Sequence, residues 1–116
     1  MTLRRATGGL SRYLAAAGFV FLAAAPASAA CFEDVGCTDS QYMRAQDLRR
    51  LSCENLWMVR NTIFDENGLC FKTKRARSVF SNADCWVEEQ ADVALNDYER
   101  SNVSKIVGVE SSFGCN

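Results

Sequence analysis

Histidine is absent from the whole 116-residue chain, and that single absence removes a broad set of chemistries. No Ser-His-Asp or Cys-His arrangement can be assembled within it, no imidazole can ligate a metal, and no side chain has an ordinary pKa suited to switching near neutral pH. Proline is nearly absent: the one residue, Pro26, lies within the first thirty. No two cysteines are spaced CxxC, so thiol–disulfide oxidoreductase chemistry has no motif to stand on. There is no glycine-rich loop to cradle a phosphate, no internal repeat and no low-complexity linker after residue 30. The longest uncharged apolar run, Tyr13 to Ala25, is thirteen residues. A bilayer crossing needs about 20.

That run sits inside a distinctive N-terminal segment. Arg4, Arg5 and Arg12 precede it with no acid among them, and the small residues of "PASAA" follow it. Charged, apolar and small-residue regions in that order predict a secretory leader over 1–30. Cleavage after Ala29, behind Ala27-Ser28-Ala29, fits as well as cleavage after Ala30. Nothing around Arg4-Arg5 supports the twin-arginine route, so the general secretory route is expected. A lipid on Cys31 is the alternative. Ser28 stands where a lipoprotein leader carries a large aliphatic residue, and lipidation would strand one of the other five cysteines.

Without residues 1–30, ten Lys and Arg face 14 Asp and Glu, a net charge of −4. A mixed, net acidic surface argues against general nucleic-acid binding. About 86 residues bury only about 60% of the unfolded surface, so covalent staples help. All six cysteines (31, 37, 53, 70, 85 and 115) lie in this part, bound for an oxidising compartment. A zinc site would need several of them as free thiolates, and no cofactor is expected.

The pattern predicts an irregular N-terminal loop and a short helix over 31–47, then a helical domain over 48–116. The short helix, within "SQYMRAQDLRR", has Leu48 and Leu51 as its apolar positions. Ser52 is a good N-cap and Gly68 a good C′ residue for a helix from about 53 to 67. Leu56, Val59 and Ile63 share one of its faces, widened by Trp57 and Phe64. Thr73 caps a second helix with Ala76, Val79, Phe80 and Ala83 at i, i+3, i+4, i+7 spacing. "DCWVEEQADVAL" has no clean period and reads as a loop carrying Trp86. Asn96 and Glu99 form a capping box for a last helix striped by Val103, Ile106 and Val107. The fold class is all-α: three or four helices stapled by disulfides.

A helix over 53–67 is roughly 22 Å long, and bridged cysteines need α-carbons only about 5–6 Å apart. Cys53 and Cys70 therefore cannot pair with each other. If the helices after residues 53 and 73 are antiparallel neighbours, Cys53 meets Cys85. If the last helix runs antiparallel to the second, Cys115 reaches Cys70, and Cys31 closes a small loop with Cys37. This set is one of 15. Cys70–Cys85 is its main rival.

Two polar features stand out. Arg60 falls near the centre of the apolar face of its helix. It reads as a core-edge arginine reaching an acid or free carbonyls, or else as an anchor for a bound carboxylate or phosphate. "KTKRAR" crowds Lys72, Lys74, Arg75 and Arg77 into the first turn of a helix, where the dipole disfavours cations. It reads as a solvated face paired with Asp84, Glu88 or Glu89, or else as a patch for an anionic partner. The acid pairs Asp65-Glu66 and Glu88-Glu89 are sequence neighbours, which diverge by about 100° on a helix and make poor convergent catalytic pairs.

From Leu48 to about Val107 the chain resembles the YARHG domain, a small exported bacterial module. The resemblance rests on "LWMVRNTIFDENGLCF", with Arg60, Asn61, Ile63, Phe64, Gly68 and Phe71 at the family's positions, and on Phe80 and Trp86 beyond it. The naming motif reads "FDENG": Phe64 replaces the tyrosine, and Asp65, Glu66 and Asn67 replace alanine, arginine and histidine. The resemblance implies a domain without a settled molecular function, here in a cysteine-stapled form. The expectation is a periplasmic or secreted, non-enzymatic module that binds an envelope polymer or a protein, meeting a membrane only if Cys31 is lipidated. A carboxylate-dependent hydrolase of an envelope glycan and a secreted effector-like peptide are the alternatives.

Overall fold

Ser52 does at the head of the long helix what its residue type promises. Its hydroxyl accepts the Asn55 N–H at 3.1 Å, opening α2 (Cys53–Glu66). The computed structural model describes residues 30–116, so the leader expected over 1–30 lies outside the described residues except for Ala30. The other elements are a ribbon of β1 (Cys31–Phe32) and β2 (Gly36–Cys37), α1 (Ala45–Leu48), α3 (Lys74–Val79), a 3-10 turn over Gln90–Asp92, and α4 (Asp97–Phe113). It is a small, mostly helical domain with three disulfides.

The ribbon departs from the irregular loop expected there. Its strands are antiparallel with Cys31 opposite Cys37, and the Cys31–Cys37 disulfide joins that same pair. Gly36, at φ +103°, turns the chain back.

α2 ends in a Schellman turn. The Gly68 N–H reaches the Asp65 carbonyl, the Leu69 N–H reaches the Phe64 carbonyl, and Gly68 sits at φ +91°. The same device ends α4, where Gly114 (φ +69°) lets the Cys115 N–H bond the Glu110 carbonyl. At the other end of α4 the Asn96–Glu99 capping box is complete.

α2 and α4 form the central pair, running antiparallel. Contacts along them fall in reverse order: Cys53 with Cys115, Arg60 with Glu110, Asn67 with Glu99. One core lies between them, built from Leu56, Val59, Ile63, Ile106 and Val109, with Leu48, Met43 and Val35 packed in from the N-terminal segment. A second gathers Phe64, Leu69, Phe71, Ala76 and Phe80 beneath α3.

This pairing corrects two disulfides. The bonds are Cys53–Cys115 and Cys70–Cys85, not Cys53–Cys85 and Cys70–Cys115. The expected set required α4 to run along α3. But α3 ends at Val79, too short to carry a long partner, and α4 lies on α2 instead. The tail then arrives at the head of α2.

α3 stops early because the chain is recaptured. The Asn82 side chain pairs with the Phe71 backbone, accepting its N–H (3.0 Å) and donating to its carbonyl (2.8 Å). Phe80 is already extended at φ −111°, ψ 132°. Trp86 and Val87 then donate to the Gly68 carbonyl, and the Cys70 N–H bonds the Val87 carbonyl. Ala76 and Phe80 are buried as the spacing predicted, whereas Val79 and Ala83 are exposed.

The buried stripe of α4 is rotated from the expected one. Glu99, Asn102, Ile106, Val109 and Glu110 face inward, and Val107 faces solvent. Asn102 explains the turn. Fully buried, it accepts the Met43 N–H (2.9 Å) and donates to the carbonyls of Thr38 (3.1 Å) and Gln41 (2.9 Å). It thereby meets backbone groups of 38–43 that burial would otherwise leave unpaired.

Candidate functional site

Of the residues singled out in the sequence, Arg60, Asn61, Phe71 and Lys72 line one groove, while Lys74, Arg75, Arg77, Phe64, Gly68, Phe80 and Trp86 lie outside its lining. One wall is the face of α2 carrying Trp57, Arg60 and Asn61. The floor is the link Leu69–Thr73 with Ala76, and the far wall is Glu88–Gln90. The cavity is about 350 Å³. Three features fix its shape. The Schellman turn aims the link away from α2. The Cys70–Cys85 disulfide ties the floor to the returning strand, and the Asn82 side chain holds Phe71 like a neighbouring strand.

Trp57 and Phe71 line the groove, Phe80 packs behind them in the core, and Lys72, Glu88 and Glu89 bring charge to the lining. Phe71 and Phe80 stack with ring centres 4.9 Å apart, and Trp57 lies 6.0 Å from Phe80. The Arg75 guanidinium sits 3.8 Å over the Trp57 ring and pairs with Glu54 at 2.6 Å. Lys72 pairs with Glu89 at 2.8 Å. Each moves the other's proton equilibrium: Glu89 raises the Lys72 pKa, and Lys72 lowers that of Glu89. Both are exposed, and such pairs are weak in water. Lys74 and Arg77 are exposed and have no ion pair among the described residues. The KTKRAR run is thus half paired, through Glu89 and Glu54. Of the acids expected to neutralise it, Asp84 and Glu88 make no ion pair among the described residues.

Arg60 takes the structural role. It grips Glu110 of α4 with two bonds, Nε at 2.7 Å and an Nη at 3.1 Å. Such a forked, mostly buried pair sets the register of α2 against α4. Asn61 is buried and donates to the Trp57 carbonyl. Phe64, Phe71 and Phe80 are core. Gly68 and Trp86 act together. The indole lies against the Gly68 backbone where a β-carbon would be, and its other face is open, at 71% exposure.

The carboxylates do not converge on an open site. Glu99 accepts from the Asn96 N–H and the Asn67 side chain. Glu66 accepts from the Thr38 hydroxyl at 2.9 Å and from the Ala30 N–H. Burial raises the Glu66 pKa foremost. The bonds from Ala30 and Thr38 lower it, and the nearby charges of Glu99 and Asp39 raise it further. No group of three or more metal-ligating side chains occurs among the described residues, and none of the described helices is long and apolar enough to cross a membrane.

The YARHG domain matches residues 32–111. The chain belongs to the YARHG domain family. The match begins upstream of Leu48 and takes in the ribbon and α1, which supply Val35, Met43 and Leu48 to the main core. No curated protein and no solved structure matches the chain. Asn102 and Glu66, which lie outside the groove and tie the N-terminal segment to the helices, are the polar residues that sequence reasoning missed. A polar residue at 102, one turn before the buried Ile106, was the available signal for the first. Glu66 had none, because its partners lie 28 and 36 residues away.

Proposed function

We propose that this YARHG domain is an exported, non-enzymatic module that binds another envelope component, a polymer or a protein, through the groove between α2 and the α3 link. The observation that carries this reading is the groove itself. It sets the partly exposed Trp57 ring and Lys72 on one lining, close to the other exposed cations of the KTKRAR run, of which Lys74 and Arg77 lack an ion pair among the described residues. Aromatic faces supply contact area, and weakly held cations supply attraction to an anionic partner. Three disulfides suit the periplasm or the medium. The bond from Cys31 to Cys37 supports a soluble rather than a lipidated chain, because it occupies the sulfur a lipid would need.

The test is crosslinking in the intact envelope under oxidising conditions, comparing wild type with Lys72→Gln/Lys74→Gln/Arg75→Gln/Arg77→Gln. A partner enriched with wild type and lost with the variant is expected. The same crosslinks from both proteins, or none from either, would remove the groove from consideration.

A further inference from the structure

Glu66 occupies a setting that its own fold does not complete. Its carboxylate lies near those of Glu99 and Asp39, and burial raises its pKa. Among the described residues none of the three has a Lys or Arg ion-pair partner. Three neighbouring acids without a cation are costly in a partly buried setting. The group bonded to Glu66 Oε2 is the backbone nitrogen of Ala30. Ala30 is also held from its other side, since its carbonyl accepts the buried Thr38 N–H at 3.0 Å. The Thr38 hydroxyl binds the second Glu66 oxygen, and the Cys31–Cys37 bond anchors the ribbon immediately after Ala30. The three residues before Ala30 are Ala27-Ser28-Ala29, a small-x-small cleavage signal.

We propose that Glu66, with Thr38, is a receptor for the mature chain's own N-terminal amine, created by cleavage between Ala29 and Ala30. Water adds across that peptide bond and the C–N bond breaks. Ala29 leaves as a carboxylate, and the Ala30 nitrogen leaves as an amine that holds a third proton near neutral pH. A neutral N–H facing Glu66 thereby becomes an ammonium, the missing cation of the Glu66–Glu99–Asp39 cluster. Processing locks the N-terminus onto α2. The geometry also separates two cleavage positions that the sequence leaves equal: removal of Ala30 as well would take away both the Glu66 donor and the Thr38 acceptor. Glu66 stands where the family's naming motif has arginine, so the device belongs to this chain's departure from that motif.

The inference rests on the exported reading, and the experiment separates the two. The full-length chain is expressed with its own leader, recovered from the periplasm, and its N-terminus identified by intact mass. The pH midpoint for labelling of the α-amine is then measured in wild type and in Glu66→Gln. A chain starting at Ala30 is expected, with its amine titrating above the ordinary α-amine range of about 7.7–8.0 and returning to that range in Glu66→Gln. If the variant does not fold, the wild-type midpoint alone decides. A chain starting at Cys31, or an Ala30 amine titrating in the ordinary range, would overturn the receptor while leaving export intact. An uncleaved precursor would overturn both.

Discussion

Gly68 and Trp86 show how much a single backbone position can carry. Gly68 needs its positive φ to end α2, and it needs a bare α-carbon because the indole of Trp86 fills the space of a side chain. Gly68→Ala is expected to cost about 2–3 kcal/mol, combining left-handed backbone strain with overpacking. In a Trp86→Ala background the same change should cost only about 1 kcal/mol, because only the backbone strain is left. Urea unfolding of the four proteins in that cycle gives the coupling directly, and additive costs would mean the ring does not rest on the glycine. Asp65, three residues earlier, behaves differently. Burial raises its pKa from 3.8. The folded state therefore holds the proton more tightly than the unfolded state, and this group's contribution to stability falls as pH rises from about 3.8 through the raised folded value. Relative to wild type, Asp65→Asn should gain stability across that window and stay constant above it. Thermal midpoints between acid and neutral pH check this, and parallel curves for the two proteins would contradict it.

Among the elements, the pairing of α2 with α4 decides the rest. Its register rests on Leu56, Ile63 and Ile106 in the core and on the Arg60–Glu110 fork at its edge. The two side chains keep only 22% and 12% of their exposure. Removing one leaves the other charged and half buried, so Arg60→Met or Glu110→Gln is expected to cost about 2 kcal/mol, less than the roughly 3–5 kcal/mol of a fully buried broken pair. The double variant Arg60→Met/Glu110→Leu should recover part of the loss, and chemical denaturation measures it. α3 shows the opposite balance. Its spacing promised four apolar positions over Ala76–Ala83, yet Asn82 abandons the helix to pair with Phe71. A two-bond clamp and a disulfide to Cys85 outweigh the helical preference of the last few residues. That preference is worth only tenths of a kcal/mol per residue.

Across the whole molecule the disulfides differ in what they constrain. Cys53–Cys115 joins residues 62 apart, Cys70–Cys85 joins residues 15 apart, and Cys31–Cys37 joins residues 6 apart. Loop-closure entropy ranks them at about 4, 3 and 2 kcal/mol. Replacing both members of each pair with serine should lower the urea midpoint in that order, and the Cys53/Cys115 variant should lose most. If the Cys70/Cys85 variant lost most instead, native contacts around the groove would matter more than chain entropy.

Residues close in sequence settled most of the local structure. Ser52, Thr73, Asn96 with Glu99, and Gly68 each act through hydrogen bonds or backbone freedom within a few residues, so caps and helix starts were legible from residue type and spacing. The apolar face of α2 was legible for the same reason, as were the placement of Arg60 at the core edge and the family resemblance. Tertiary structure decided what depends on which helix meets which. Two of the three disulfide pairings follow from α4 lying on α2 rather than on α3, the inward face of α4 follows from Asn102 meeting the backbone of 38–43, and the early end of α3 follows from Asn82 pairing with Phe71. The partners of Asn102, Glu66 and Arg60 stand 28 to 64 residues away, and no periodicity encodes a contact over that distance.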